Sequence, residues 1–563
     1  MTGNILTPNL LWKDYVVGSS FEKQIISEKV VDEINYSEFY FNGKNYEDGH
    51  IQIYCNYVRK YKEKAMPTIL LLSDFCDGND LTFATELAKN GYAVLSIDIG
   101  GQREGVEKYT IYPQSLSYAN LPLSNYLCTE IEGELRDTCW YIWAGVVKYA
   151  IQFLSHDKFV KNIGVIGFSY PATALWQAVA TSDNLSCAVF VANTGWQGYK
   201  GINKFSGEIE PQFTDNQIKY LAGIEPQAYA KHIKCPCLVL SPTNNNNFDC
   251  DRAYDTISRI EAKVFRGVDY CVGARNSVSF NQYQNALTFF NWFLKKSSGE
   301  KSLPEWPDIS IDLENNGVSI SVTPYGNNIK EIKVFVAEET FCPELRNWQA
   351  LDNGEVDKNN IVKFQYQPNG LSGIVMAFAR VEYKNGLAIC SNIISKSFTE
   401  EQIQNTQKSR ILFSSRGDGK NNAFTTAIEN EQKPTGIETN GIGEVQSIVG
   451  PMDITGITSP KGLLSFKINA NCDKPQDGAI LMLDAYVKNC ENLTIKLIAD
   501  YFGERTEYTC NVKIVCGDLW QNIKIEQNNF KSPLGMALKS YSIIEAIEIS
   551  APGEYAINNI LWI

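Results

Sequence analysis

One serine lies in a sequence context that could make it a nucleophile. The stretch from residue 162 to residue 180, NIGVIGFSYPATALWQAVA, passes from a β-type apolar run into a helical pattern, and Ser169 lies at the junction. A serine in such a strand–turn–helix corner is pushed out of the sheet edge, beside backbone N–H groups and the N-terminus of the helix. The sequence therefore predicts a nucleophile elbow at Ser169. The alternative is an ordinary turn in which this serine caps the helix.

The turn departs from the usual G-x-S-x-G pattern at its last position, where Pro171 replaces glycine. Proline is tolerated in the first turn of a helix, because its missing N–H would have no partner there. The departure weakens the match and leaves the predicted corner intact.

Short apolar runs alternate with helical patterns on both sides of this serine. Runs of this kind are typical of strands that are buried on both faces. Strands that alternate with helices predict an α/β fold with a doubly wound, mostly parallel sheet, whose ligands bind beyond the carboxyl ends of the strands. Ser169 directly follows one such strand and so lies at the functional edge. The other runs are 67–73, 93–98, 187–192, 237–241 and 262–267.

The character of the chain changes after a polar break at residues 295–299. From there to the end, alternating strands are separated by Asn/Gly turns without a convincing helix. We predict three domains: an α/β domain (1–300), an immunoglobulin-like β-sandwich (301–398) and a C-terminal jelly-roll β-domain (399–563).

The first half of the chain resembles the α/β-hydrolase superfamily. The resemblance rests on the order of elements, the Gly-Phe-Ser-Tyr-Pro turn and the stretch GYAVLSID (91–98), which enters a glycine turn. Within the superfamily it resembles the acetyl-xylan-esterase and acyl-peptidase-like branches, and Tyr170 after the serine is similar to the cocaine-esterase and Xaa-Pro-peptidase type. The two β-domains resemble immunoglobulin-like and carbohydrate-binding jelly-roll modules in pattern. The resemblance implies ester or amide hydrolysis through an acyl-serine.

The catalytic partners that the resemblance implies are missing from their usual places. The family has its acid after the strand that matches 237–241, where this chain reads SPTNNNNFDCD, and Asp249 and Asp251 come late, at the start of the next helix. The family has its histidine after the strand that matches 262–267, where the loop VDYCVGARNS contains none. We therefore expect an incomplete triad.

The chain has three histidines. His156 and His232 precede predicted strands, which puts them at the opposite edge of a parallel sheet from Ser169. His50 lies in an early antiparallel region that could bring it to the rim. We expect all three to be surface or packing residues, and His50 stays open.

Other residues at the predicted rim could bind a ligand or replace the missing base. Asp269 and Asp77 are candidate substitute bases for Ser169, with solvated loop carboxylates as the alternative. Asp74, near the expected oxyanion hole, would repel a developing negative charge, although the backbone N–H groups of Phe75 and Tyr170 could still point inward. The candidate binding residues are Phe75, Cys76, Arg103, Tyr170, Asn245, Tyr270 and Cys271.

Composition limits the class of protein. The apolar fraction is 44%, the charged fraction 20% and the net charge −13, which fits a globular protein and argues against a nucleic-acid partner. The N-terminal residues lack a signal-peptide pattern and no window is apolar enough to span a membrane. Fifteen cysteines without paired spacing favour a reducing compartment, so we expect a cytoplasmic protein. No cofactor and no metal site are predicted.

Two functions agree with these features. The first is weak or atypical serine hydrolase or acyltransferase activity through Ser169. The second is a non-catalytic pseudo-hydrolase that binds a small ester, amide or glycan-derived ligand or a protein partner. For the β-domains, Trp348, Trp520 and Trp562 could stack on sugars, although core packing is the simpler interpretation. Asp473 and Asp477 show no calcium-ligand pattern, and the sequence does not fix the oligomeric state.

Overall fold

The computed structural model describes most of the chain in three consecutive units. The described residues are 6–61, 64–76, 81–207, 211–296, 303–314, 317–351, 354–368, 373–399, 411–415, 424–426, 436–439, 445–471, 473–517 and 519–563. Asp77 lies outside them.

The first unit alternates strands and helices. Its helices are α1 (Pro8–Trp12), α2 (Leu81–Lys89), α3 (Cys139–His156), α4 (Pro171–Ala180), α5 (Asp215–Gly223), α6 (Pro226–Tyr229), α7 (Ala253–Ile257) and α8 (Phe280–Phe290), the last continued by a π-helical turn, Asn291–Lys295. Its strands are β1 (Lys23–Val31), β2 (Ile34–Tyr46), β3 (Gly49–Lys60), β4 (Met66–Leu72), β5 (Ala93–Ile97), β6 (Val160–Phe168), β7 (Leu185–Val191), β8 (Cys237–Pro242), β9 (Arg266–Cys271) and β10 (Ser277–Val278).

Nine of these strands form one mixed sheet in the order β1-β2-β3-β5-β4-β6-β7-β8-β9. The pairs from β5 to β9 are parallel, and β1, β2 and β3 extend the sheet by antiparallel pairing. The predicted mostly parallel sheet is confirmed. The carboxyl ends of β4 and β6 lie side by side, since Leu72 pairs with Gly167, and this edge carries Ser169.

Helices cover both faces of the sheet, as the apolar runs require. Leu70 and Leu72 of β4 pack in the same cluster as α3 and α4, whereas Ile69 and Leu71 pack in the cluster of α2 and α8. This alternation follows from the two-residue period of a strand. None of the helices in the described part of the chain is long and apolar enough to cross a membrane.

One predicted strand has the wrong bounds. The run 262–267 was expected to be the last strand of the sheet, but β9 begins at Arg266 and ends at Cys271. Asp269, Tyr270 and Cys271 therefore lie within the strand and not in a loop after it. Asp269 interrupts the apolar run in the sequence, and the strand tolerates it because its charge is compensated from the second unit.

The second unit packs two antiparallel sheets face to face. The sheet orders are β11-β12-β16-β15 and β14-β13-β17-β18, with β19 also paired to β17, and residues of both sheets share one apolar core. The unit is a β-sandwich, and its immunoglobulin-like class stays a prediction. Its strands are β11 (Asp308–Glu314), β12 (Gly317–Thr323), β13 (Ile329–Glu338), β14 (Gln349–Leu351), β15 (Glu355–Val356), β16 (Val362–Tyr366), β17 (Gly373–Tyr383), β18 (Ala388–Cys390) and β19 (Ile394–Phe398).

The third unit is built from two more antiparallel sheets around one core. Their orders are β23-β24-β31-β26-β29, with β20 paired to β31, and β21-β25-β30-β27-β28, while β22 pairs with β10 of the first unit. Its jelly-roll class and the exact domain boundaries stay predictions. Its strands are β20 (Ile411–Phe413), β21 (Thr425–Thr426), β22 (Gly436–Ile437), β23 (Gln446–Val449), β24 (Thr455–Thr458), β25 (Leu463–Ser465), β26 (Leu481–Val487), β27 (Asn492–Ala499), β28 (Thr506–Lys513), β29 (Gln521–Ile525), β30 (Ile544–Ser550) and β31 (Tyr555–Trp562).

The tryptophans considered for sugar stacking are engaged in packing. Trp348 and Trp562 are 2% and 3% exposed. Trp520 is half-buried and donates its indole N–H to the carbonyl of Pro451, and its ring occupies space that a side chain at Gly456 would fill. These contacts favour the packing interpretation for all three rings.

Two buried ion pairs join the second unit to the first. Arg380 binds Asp269 of β9, with 2.7 Å between Nε and Oδ1, and Arg346 binds Asp251 through both guanidinium N–H₂ groups, at 2.6 and 2.9 Å. The side chains of Asp269, Arg346 and Asp251 are 0% exposed. Burying a carboxylate is costly unless it is paired, so these contacts hold the two units in one fixed arrangement.

We predict that Arg380→Met lowers the free energy of unfolding by about 3–5 kcal/mol, because Asp269 would stay buried without its cation. Urea unfolding followed by tryptophan fluorescence measures this change. Adding Asp269→Asn to Arg380→Met should recover part of the loss, since the uncompensated charge disappears. Lys234→Met is the matched control, because it breaks a pair with Asp183 whose side chains are 77% and 79% exposed, and no measurable change is expected. Equal effects of the two single variants would contradict the prediction.

Candidate active site

Ser169 adopts the strained backbone that a nucleophile elbow needs. It follows β6 directly, two residues before α4 begins at Pro171, and its φ is +47°. A positive φ is uncommon for a residue with a side chain and persists only where neighbouring groups impose it. Here the Ser169 N–H donates to the carbonyl of Val191 in β7, at 2.9 Å. The turn is thus fixed from the neighbouring strand.

Asn193 supports the same turn from below. This residue follows β7 and is fully buried. Its side-chain amide donates to the Ser169 carbonyl at 2.7 Å and to the Thr173 hydroxyl at 2.8 Å. One side chain therefore ties together the turn, the first turn of α4 and the end of β7. Sequence reasoning missed it, although a polar residue directly after the apolar run 187–192 was an available signal.

Two backbone N–H groups beside Ser169 have no acceptor within the described residues. They belong to Phe75 and Tyr170. Leu72 of β4 pairs with Gly167 of β6, and Phe75 and Tyr170 each lie three residues after one of these paired residues. Because neighbouring strands lie about 4.8 Å apart, both donors lie at the same edge of the sheet. Unpaired donors at such a point suit a developing oxyanion. The adjacent N–H of Cys76 is already bound to the Asp74 side chain.

Arg103 supports the Phe75 loop and does not face a ligand. Its Nε donates to the Phe75 carbonyl at 3.0 Å, and its Nη1 lies 2.8 Å from Asp98 Oδ1. The two side chains are 6% and 3% exposed. Gly100 is needed beside them, because a Cβ there would lie 2.9 Å from Nη1. Arg103 was predicted as a binding residue, and its contacts favour a role in positioning the loop.

Aromatic rings close over this edge. Tyr126 contacts Tyr170 with 5.3 Å between ring centroids and Phe75 with 5.5 Å, and Tyr170 contacts Phe248 with 5.1 Å. We call these four rings the aromatic cover. Ser169 is only 4% exposed. Burial raises the pKa of Tyr126 and of Tyr170, so both phenols stay neutral at physiological pH and neither is a ready base.

All three histidines belong to the described residues, and none makes a hydrogen bond with Ser169. His156 ends α3 and contacts the carbonyl of Gln152; His232 precedes β8. Both therefore lie at the amino ends of the parallel strands. His50 begins β3, which stands three positions from β6 in the sheet, a separation of about 14 Å.

The candidate substitute base Asp269 lies in the interface between the first and second units. Asp269 is fully buried in β9, where its carboxylate accepts from Arg380 and from the Asn285 side chain at 2.9 Å. β9 stands three positions from β6, about 14 Å away. These contacts favour a structural role for Asp269. The other candidate base, Asp77, lies outside the described residues.

Three further predicted binding residues make contacts with other parts of the protein. Tyr270 packs on Phe378 of the second unit, with 4.8 Å between ring centroids. Cys271 accepts the N–H of Ser279. Asn245 organises its own loop, since its side chain donates to the Arg275 carbonyl at 2.6 Å and accepts from two backbone N–H groups. Of the predicted set, the structure brings Phe75, Cys76 and Tyr170 to the loops around Ser169.

The acids after β8 are already paired. Asp249, Cys250 and Asp251 place ligand atoms within 4.8 Å of one another. Arg346 holds Asp251, however, and Arg252 lies 3.3 Å from Asp249. Burial, reinforced by the neighbouring Asp251 charge, raises the pKa of Asp249. The negative charge of this cluster is thus compensated by two arginine side chains.

A buried glutamate organises the loop after β7. Glu225 is fully buried, and its carboxyl group accepts the N–H of Gly198 at 2.8 Å and that of Trp196 at 2.5 Å. Trp196 adopts a left-handed conformation, with φ +64°. Burial raises the pKa of Glu225 to about 7, although the N–H donors favour the charged form. The loop beside Asn193 therefore depends on an acid that titrates near neutrality.

No protein-family model matches the chain, and no curated protein matches its sequence. Among solved structures, it is similar to an acetyl xylan esterase from Paenibacillus sp. R4 (14% identity, 51% of this chain, 92% of the other, TM-score 0.39). It is also similar to a glucuronoyl esterase from Solibacter usitatus (14%, 50% and 90%, TM-score 0.35) and to an acylaminoacyl peptidase from Pyrococcus horikoshii (12%, 50% and 57%, TM-score 0.31).

We predict that Glu225 makes stability fall as the pH rises. Its folded-state pKa of about 7 lies above the ordinary value, so the stabilisation is complete below about pH 4.5 and is lost as the pH rises towards 7 and beyond, by about 3 kcal/mol. Glu225→Gln should flatten this dependence between pH 5 and 8, at the cost of one hydrogen bond at every pH. Urea unfolding across this range measures it, and parallel curves for the two proteins would contradict the assignment.

Proposed function

We propose that this chain is an α/β-hydrolase-type protein in which Ser169 is a nucleophile that works without a histidine base. The observation that carries the proposal is the strained serine between two unpaired backbone donors, those of Phe75 and Tyr170. Such a turn costs free energy and suits a carbonyl carbon placed over the hydroxyl. The resulting activity is weak hydrolysis of esters or amides, or acyl transfer.

The chemistry follows from these three groups. The Ser169 oxygen attacks the carbonyl carbon, and the carbonyl oxygen, now negatively charged, accepts hydrogen bonds from the N–H groups of Phe75 and Tyr170. The hydroxyl proton passes to water or hydroxide, and the leaving alcohol or amine departs with a proton from solvent. Water then hydrolyses the acyl-serine, or another nucleophile accepts the acyl group.

The missing base sets the rate. A serine hydroxyl is a poor nucleophile until a neighbouring group takes its proton, and removing members of a catalytic triad costs on the order of 10⁴–10⁶ in turnover. None of the three histidines makes a described hydrogen bond with Ser169. Asp251 and Asp269 form ion pairs with arginines. Asp77 remains a candidate substitute base. We therefore expect turnover on activated esters and slow or no turnover on amides.

The second candidate is a non-catalytic protein that binds a small ester, amide or glycan-derived ligand in the same cleft. The 4% exposure of Ser169 beneath the aromatic cover favours it, because a working nucleophile needs access. Both candidates are consistent with a cytoplasmic protein. The fourteen described cysteines are free, and this supports a reducing compartment.

The first test is covalent labelling. A fluorescent fluorophosphonate should label the protein with up to one equivalent, slowly, and Ser169→Ala should abolish the label. Peptide mass spectrometry locates the modified residue. Thr173→Ser serves as the control, because it keeps the hydroxyl that Asn193 contacts and should label like the natural protein. Absence of labelling after prolonged exposure would favour the binding protein.

The second test is the pH dependence of hydrolysis of an activated aryl ester. Without an imidazole beside Ser169, the rate should rise about tenfold per pH unit from pH 6 to 9, because hydroxide takes the proton. A histidine base would instead give a plateau above its pKa, near 6.5. His50→Gln is the informative control, since His50 lies at the same edge. A plateau in the natural protein that disappears in this variant would overturn the proposal.

A further inference from the structure

The ring of Tyr126 is the central part of the aromatic cover. Its centroid lies 5.3 Å from that of Tyr170, 5.5 Å from that of Phe75 and 6.3 Å from that of Trp143. Tyr170 and Phe75 are the two residues whose backbone N–H groups would bind an oxyanion. The Tyr126 side chain, which comes from another loop, therefore packs against both residues of the candidate oxyanion hole.

The segment that carries Tyr126 is held at its ends. Leu121 donates its N–H to the Gly100 carbonyl at 2.8 Å, and Ile131 donates to the carbonyl of Asn216 at 3.2 Å. Leu123 and Ser124 donate their N–H groups to the Asn120 carbonyl, and the Asn125 backbone hydrogen-bonds to the Cys139 thiol of α3. From 126 to 130, the described backbone–backbone hydrogen bonding is local, from Cys128 to Asn125. Residues 126–130 are thus the part of the segment without a described backbone–backbone hydrogen bond to the body of the protein.

The apolar neighbours of Tyr126 contribute little packing that would fix the segment in place. Leu123 and Leu127 are 66% and 63% exposed, so their side chains contribute little packing. Tyr126 is half-buried and belongs to the apolar cluster of the first unit. Among the apolar side chains from 122 to 130, its ring makes the principal inward contact. The position of this one ring therefore depends mainly on its contacts with Tyr170, Phe75 and Trp143.

We propose that Tyr126 is the residue that determines which substrates reach Ser169. With the ring in place, Ser169 is only 4% exposed, which leaves access to a small acyl group at most. A bulky acyl group requires the ring to leave Tyr170 and Phe75 and residues 126–130 to swing outward. The proposal rests on the proposed function for its substrate, but the closure itself can be tested without any hydrolysis.

The test uses Ser169→Cys, whose introduced thiol reports access directly. Its modification by a small reagent, methyl methanethiosulfonate, is compared with that by a maleimide carrying a bulky fluorophore, both quantified by peptide mass spectrometry. Cys516, which is exposed in the third unit, is the internal standard for reagent reactivity. The bulky reagent should modify the introduced thiol at least about tenfold more slowly than the small one, relative to that standard.

Adding Tyr126→Ala should raise the rate of the bulky reagent by about tenfold and that of the small reagent by less than about threefold. Tyr126→Phe keeps the ring and Leu127→Ala changes an exposed neighbour, so both should leave the two rates unchanged. Tyr126→Leu provides an intermediate size if the alanine variant does not fold. An unchanged bulky rate in Tyr126→Ala, or an equal increase in Leu127→Ala, would overturn the proposal.

The proposed function is tested separately on the natural Ser169. Fluorophosphonates with a short and a long alkyl chain should label the natural protein at different rates, and Tyr126→Ala should remove the difference. If neither probe labels Ser169 while the thiol assay behaves as expected, the nucleophile proposal fails and the closure by Tyr126 stands.

Discussion

Two buried arginine–carboxylate pairs decide what half of the sheet edge can do. Arg380 and Arg346 reach from the second unit to Asp269 in β9 and to Asp251 after β8. Asp251 follows β8 and Asp269 lies within β9, the two strands after which the resemblance implies the acid and the histidine. Because an uncompensated buried carboxylate costs several kcal/mol, neither acid can turn towards a substrate without weakening the joint between units. The docked β-sandwich therefore keeps both carboxylates in the interface.

The other half of the edge, at β4 and β6, is supported by contacts from within the first unit. There the backbone supplies the chemistry: Ser169 is held in its turn by Val191 and Asn193, and Phe75 is held by Arg103 from the end of β5. Backbone donors do not depend on side chains from β8 and β9. The proposed oxyanion-binding corner is therefore compatible with an interface that holds Asp251 and Asp269.

The sequence predicted the parts that local patterns determine. The short apolar runs predicted the parallel sheet, and the corner after β6 predicted the position of Ser169. Sequence patterns failed to predict features that depend on a contact with a residue far away in the chain. The predicted strand 262–267 stopped short of Asp269, whose partner Arg380 lies 111 residues further along the chain. Tyr126 carries no local signal either, since its contacts arise only when the loop after β5 folds over the corner.

The strain at Ser169 bears on whether the corner still functions. A left-handed serine costs of the order of 1–3 kcal/mol, and glycine would adopt the same conformation with less penalty. Here a fully buried asparagine and a neighbouring strand are both committed to holding the serine in place. These contacts maintain the strained turn, and they support the proposal that the Ser169 hydroxyl still meets a ligand.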